Sequence, residues 1–216
     1  MPKRYNDYNW RELLREPVTE DGLPEALPRR TRYGSIEAGR LGLIPVQDYP
    51  DILIDPKDYK EVIQHCHDKK IFGMYHQKAS GVLDKGGNWN QNGLGYCWAF
   101  GMAMSLMDCR AIEGQKPVRL APTSLGWLVN WRNQGNYLES AMDGARTKGI
   151  ASTAFVPELS INPREFKTGW EDDALKYRLL EAWDTNRVSE AAMVQQCLSV
   201  LATGRDGFIA YSWWSH

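Results

Sequence analysis

One cysteine, Cys97, stands where its sulfur could act as a nucleophile. It follows a Gly/Asn-rich loop and opens a long apolar run, CWAFGMAMSLMDCRAI, which predicts a buried helix over Cys97–Ile112. A sulfur in the first turn of a helix faces the positive end of the helix dipole, which favours the thiolate over the thiol. The backbone N–H groups of that turn have no partner within the helix, so the Cys97 N–H can stabilise a developing oxyanion.

A second oxyanion donor is available on the loop before this helix. Gln91 lies six residues before Cys97, and its side-chain amide can fold back toward the sulfur. Gly93 and Gly95 allow the loop to pass close to a substrate, because glycine has no Cβ to clash. The pattern predicts acyl transfer through a thioester on Cys97, with Gln91 as the catalytic oxyanion donor.

The segment from Gln91 to Phe100 resembles the nucleophile motif of the papain-like cysteine proteases, Q-G-x-C-G-[SA]-C-W-A-F. The spacing from the glutamine to the cysteine matches, and so does the Trp-Ala-Phe that follows Cys97. Three positions depart from the motif, where the family has a glycine, a disulfide cysteine and a small residue: Asn92, Leu94 and Tyr96.

The resemblance implies an α+β protein with the papain-like two-lobe fold and the activity of a cysteine endopeptidase. We expect residues 1–70 to form an N-terminal extension or pro-segment-like arm. Residues 71–152 are expected to form a helical lobe that carries the nucleophile, and residues 153–216 a β-rich lobe. The implied chemistry is hydrolysis of peptide bonds in a peptide or protein substrate, with no cofactor.

The same resemblance implies a substrate-binding surface. Gly135-Asn136 is similar to the paired glycines with which the family binds substrate backbone beside its specificity pocket. We therefore expect Gly135 and Asn136 to contact substrate together with Gly95 and Trp98.

His216 is the catalytic base that the resemblance implies. It follows Phe208–Trp214, which is predicted to be a strand, and is the last residue of the chain. The family's orienting Asn and its remaining strands lie further downstream, so we expect the β-rich lobe to be truncated. Three explanations stay open: the chain is a fragment, another chain supplies the missing strands, or the scaffold has been reduced to a non-catalytic role.

Three more helices position these residues. Asp55 and Pro56 predict a helix start within residues 51–70. Gly149 is expected to close a helix over residues 137–148, and Ser189 to cap one over residues 190–202. The first of these helices has an apolar face formed by Tyr59, Val62, Ile63 and Cys66.

Composition excludes several other classes of protein. The formal net charge is −1 and basic residues are interspersed with acids, so we expect no nucleic-acid partner. No apolar run has the length of about 18 residues that a membrane span needs. The two histidines of His65-Cys66-His67 would point to different faces of a helix, so we expect no metal site there.

Cysteine usage bears on the cellular compartment. The four cysteines form no dense framework, which is typical of reduced thiols, and the N-terminus lacks an apolar signal region. We therefore expect a cytoplasmic or virion-associated protein. The alternative to an enzyme is a structural or interaction protein on a papain-like scaffold, such as a subunit of a virus particle or another large assembly.

Overall fold

The computed structural model describes residues 3–4, 52–70, 72, 75, 89–112, 115–131, 135–179, 182 and 189–202. Within these ranges the chain is mainly helical. The helices are α1 (Tyr59–Asp68), α2 (Cys97–Ile112), α3 (Pro122–Leu128), α4 (Leu138–Thr147), α5 (Trp170–Leu175) and α6 (Glu190–Ala202), with short 3-10 turns at Pro56–Asp58 and Pro163–Glu165. Two strands of two residues, β1 (Lys3–Arg4) and β2 (Ile52–Leu53), pair in parallel.

The contacts divide the chain into two compact units. The first contains the β1–β2 pair, α1, the C-terminal end of α2 from Asp108, and α6. Its core is formed by Ile54, Val62, Cys66 and Ala202. Ile54 is fully buried, and α6 satisfies its backbone: the Ser199 hydroxyl accepts from the Ile54 N–H at 2.8 Å, and the Gln195 side chain donates to its carbonyl at 2.8 Å. Buried backbone groups need such partners, so α6 specifies where β2 ends.

The second unit contains α2 as far as Met107, together with α3, α4 and α5. Its larger core is built on α2, and it includes Trp98, Phe100, Leu120, Leu125 and Ile150. An antiparallel bridge between Leu120 and Ser152 joins the segments before α3 and after α4. This unit runs across residue 152, which was the expected border between the two lobes.

The predicted helices are confirmed. The helix at Cys97–Ile112 has the predicted bounds. Asp55 caps the turn that leads into α1 by accepting from the Lys57 N–H at 3.1 Å, as its position before Pro56 predicts. The Ser189 hydroxyl accepts from the Ala192 N–H at the start of α6. One detail of the prediction for α1 is wrong. Val62 and Cys66 are buried as predicted, whereas Ile63 is exposed.

The prediction of a papain-like two-lobe α+β fold is wrong. Of residues 153–216, those that the structure describes contain no strand, and they form turns, a 3-10 turn and the helices α5 and α6. The local sequence explains this difference. Pro163 and Gly169 interrupt extended chain, three acids occupy the first turn of α5, and most residues of α6 are strong helix formers. The strand predicted over residues 208–214 lies outside the described residues.

Candidate active site

The loop before α2 is shaped by a tight turn. The Leu94 N–H donates to the Gln91 carbonyl at 3.0 Å, and both residues between them have positive φ, 50° at Asn92 and 76° at Gly93. Positive φ at both central positions defines a type I′ turn, for which Asn-Gly is the preferred pair. The Asn90 side chain supports this turn by accepting from the Asn92 N–H at 2.8 Å. The turn reverses the chain between Gln91 and the start of the helix.

The start of α2 leaves Cys97 open to solvent. The Tyr96 carbonyl accepts from both the Ala99 and the Phe100 N–H at 2.9 Å, so Tyr96 is the N-cap residue immediately before the helix. In the described part of the chain, no hydrogen bond from the Cys97 or Trp98 N–H is found. Cys97, the first residue of the helix, is exposed. A sulfur and an unpaired N–H thus lie together at the positive end of the helix dipole.

Tyr96 anchors the helix start in the core. Its ring stacks on Trp98 with centroids 6.0 Å apart and packs edge-on against Trp131 at 3.9 Å. Burial raises the pKa of the Tyr96 hydroxyl to about 12, so this side chain is neutral at physiological pH. Gly126 makes room for the ring, because a Cβ there would lie 2.2 Å from it. The large residue that departs from the papain-like motif therefore packs in the core.

The other three cysteines lie in less accessible surroundings. Cys66 is fully buried, and burial raises the pKa of its thiol to about 12. Cys197 is half-buried, and desolvation raises the pKa of its thiol as well. Cys109 is also half-buried. Because a thiolate needs solvent or a cation near it, Cys97 is in the surroundings best suited to a reactive thiol.

The predicted site residues differ in exposure and in hydrogen bonding where the structure describes them. Gln91 is half-buried on the turn that leads to Cys97, with Gly95 between them on the same loop. Trp98 has 3% of its surface exposed and packs in the core, where its indole N–H has no hydrogen-bond partner among the described residues. Gly135 is exposed, with open space where a Cβ would point, and the Asn136 side chain accepts from the Tyr137 N–H at 2.9 Å. The predicted base, His216, lies outside the described residues.

A three-residue cluster beside the loop was missed by sequence reasoning. The Glu158 carboxylate accepts hydrogen bonds from the Trp89 indole N–H and from two nitrogens of Arg119. Partial burial acts to raise the pKa of Glu158, but the hydrogen bonds from Arg119 and Trp89 and the charge of Arg119 outweigh it and lower this pKa. These residues are far apart in sequence and share no motif, so no local signal could have identified the cluster.

The described residues also bear on metal binding and on membrane spanning. Among them, no group of three or more His, Cys, Asp or Glu side chains is placed to hold a metal ion. At His65-Cys66-His67, the His67 ring nitrogen Nδ1 lies 2.9 Å from the Tyr75 hydroxyl. None of the described helices is long and apolar enough to span a membrane.

Comparison with known protein families, curated proteins and solved structures gave no match for this chain.

Proposed function

We propose that this protein is a cysteine peptidase in which Cys97 is the nucleophile. The observation that supports the proposal best is the exposure of Cys97 at the first residue of α2, where its backbone N–H makes no hydrogen bond within the described part of the chain. A second support is the tight Asn92-Gly93 turn, which reverses the chain between Gln91 and the start of the helix. The resemblance of residues 91–100 to the papain-like nucleophile motif is consistent with this chemistry. The chain does not have the two-lobe fold that the resemblance implied.

The proposed reaction has two steps. The Cys97 thiolate attacks the carbonyl carbon of the scissile peptide bond, and the carbonyl oxygen becomes an oxyanion that the Cys97 N–H and the Gln91 amide stabilise. The C–N bond then breaks, the amine leaves with a proton, and a thioester forms on Cys97. Water hydrolyses the thioester, releasing the carboxylic acid and the free thiol. His216, as the base that moves these protons, stays a prediction.

The thiol itself offers the most direct test. Brief treatment of the folded chain with limiting iodoacetamide, followed by peptide mapping, is expected to label Cys97 at least about ten times faster than the other cysteines, because reactivity follows exposure and thiolate character. A peptide carrying a vinyl sulfone should then label Cys97 stoichiometrically. Faster labelling of Cys66, Cys109 or Cys197 would contradict the assignment.

Gln91→Ala is expected to lower kcat by about 10²–10³-fold, which is the usual loss for one oxyanion donor. Stability should change little, since the Gln91 side chain is half-buried and makes no hydrogen bond in the described part of the chain. Gln115→Ala is the matched control, because it removes an exposed amide outside the loop. An unchanged kcat in Gln91→Ala would remove Gln91 from the oxyanion site.

A structural or interaction protein is the second candidate, and an ordered exposed aromatic favours it. Trp127 is 42% exposed, yet its indole N–H donates to the Ile161 carbonyl at 3.1 Å and its ring packs edge-on against Phe166. Fixed, exposed aromatic side chains with a polar edge are common in protein interfaces. A chain that hydrolyses no peptide, and whose Cys97 reacts only as fast as a free thiol, would favour this candidate over the peptidase.

A further inference from the structure

We propose that Arg119 and Glu158 are positioning residues that hold the loop before Cys97 in place through Trp89. This inference deepens the proposed function and rests on it, because the loop carries Gln91. The cluster joins three separate segments of the second unit: the start of the loop, the residue before the Leu120–Ser152 bridge, and the turn region that precedes α5.

The carboxylate of Glu158 is the centre of the cluster. Arg119 donates to it through two nitrogens, from Nη2 to Oε1 at 2.6 Å and from Nε to Oε2 at 3.1 Å. Trp89 Nε1 donates to Oε1 as well. A bidentate arginine–carboxylate pair has a defined geometry, so it presents the third donor, Trp89, with an acceptor in a fixed place. The side chains of both charged residues are partly buried, with 23% of Arg119 and 35% of Glu158 exposed.

Two side chains pack against the indole of Trp89. The Arg119 guanidinium lies over the indole, 4.8 Å from the ring centroid, in a cation–π contact. Phe100 packs edge-on against the same indole with centroids 5.0 Å apart. Phe100 is buried in the first turn of α2, the helix that also carries Cys97. Trp89 therefore connects the ion pair to the helix that begins at Cys97.

The arginine is itself fixed to the core. The Arg119 carbonyl accepts from the Thr153 N–H at 2.9 Å, and the next residue, Leu120, is fully buried and paired with Ser152. The cluster is thus attached to the paired segments before α3 and after α4. Two residues after Trp89, the chain enters the tight turn at Gln91. Loss of the cluster would release the start of this loop while α2 stays in place.

Hydrogen exchange in the loop measures the proposed positioning directly. The Leu94 and Tyr96 N–H groups are both hydrogen-bonded within the loop. In Glu158→Ala, their exchange should become about ten times faster, given the usual strength of such ion-pair and cation–π contacts. Trp89→Phe keeps an aromatic ring against Phe100 but lacks the N–H donor, so a smaller increase of about threefold is expected. Glu165→Ala is the matched control, because Glu165 also accepts a side-chain hydrogen bond, from Ser160 at 2.6 Å, but does not belong to the cluster.

Turnover is the second readout. Glu158→Ala should lower kcat about tenfold and leave KM nearly unchanged, because a misplaced Gln91 weakens stabilisation of the transition state more than substrate binding. Arg119→Lys, which keeps the charge but not the bidentate geometry, should lose less activity than Arg119→Ala.

The two proposals fail in different ways. Unchanged exchange at Leu94 and Tyr96 in both Glu158→Ala and Trp89→Phe would overturn the positioning role, whatever the activity of the wild-type chain. Faster exchange in a chain that hydrolyses no peptide would support the positioning role and overturn the proposed peptidase. If Glu158→Ala does not fold, Trp89→Phe and Arg119→Lys carry the test, since each keeps most of the packing.

Discussion

Replacing Cys97 by alanine is expected to abolish peptide hydrolysis, with a loss of at least about 10⁴-fold in kcat/KM, as for other nucleophiles of covalent catalysis. The loss follows from chemistry alone, because no thioester forms without the sulfur. Cys97 is exposed at a helix start, so its sulfur contributes little to packing. The free energy of unfolding should therefore stay within about 0.5 kcal/mol of the wild-type value.

Cys66→Ala is the matched control for this experiment. Cys66 is fully buried in the core of the first unit, so its truncation should lower the free energy of unfolding by about 1 kcal/mol and leave kcat/KM unchanged. Cys97→Ala should thus lose activity and keep its stability, whereas Cys66→Ala should lose stability and keep its activity. If Cys97→Ala hydrolysed peptide at the wild-type rate, the activity would have another source.

Gly149→Ala should have the largest effect on stability, lowering the free energy of unfolding by about 3 kcal/mol or more. Gly149 closes α4 with φ at 80°, and its N–H donates to the Gly144 carbonyl at 3.1 Å. A Cβ at this position would lie 1.9 Å from the Ala174 carbonyl oxygen. The overlap is with backbone at the end of α5, so it cannot be relieved by rotating a side chain. Urea unfolding followed by tryptophan fluorescence measures the loss.

Gly93→Ala separates the two causes of this loss of stability, which are backbone strain at positive φ and overlap with the backbone of α5. Gly93 also has a positive φ, 76°, but a Cβ there would meet nothing within 4 Å. Its substitution should cost only the backbone strain, about 1–2 kcal/mol. Equal losses at Gly149 and Gly93 would show that the close approach of α5 contributes nothing to stability.

Local sequence was a good guide wherever one short segment held all the information. The apolar run of α2, the Gly149 stop of α4 and the Ser189 cap of α6 each predicted a helix that the structure confirms. In each case the deciding feature lies within a few residues. It is the apolar run in α2, the positive φ of the closing glycine in α4, and the side chain that accepts from a nearby N–H in α6. The Asn92-Gly93 turn is of the same kind, because its two positive φ values depend on two adjacent residues.

The error about residues 153–216 had a different origin. The papain-like resemblance is strongest at residues 91–100, whereas the β-rich lobe that it implies lies in a distant part of the chain. Local signals there, Pro163, Gly169 and the acidic first turn of α5, favour turns and short helices. A motif of ten residues specifies chemistry at one loop, whereas the fold of a distant segment depends on its own pattern.

The sequence by itself determined the candidate nucleophile, the helix that Cys97 opens and the loop that carries Gln91, because residue type and short-range spacing are sufficient for each. Only the tertiary structure decided that Tyr96 points into the core over Gly126, and that Trp89 meets Arg119 and Glu158. The physical reason is the same for both. Each contact joins residues about 30 or more positions apart, and such a contact exists only where the core built on α2 packs their segments together.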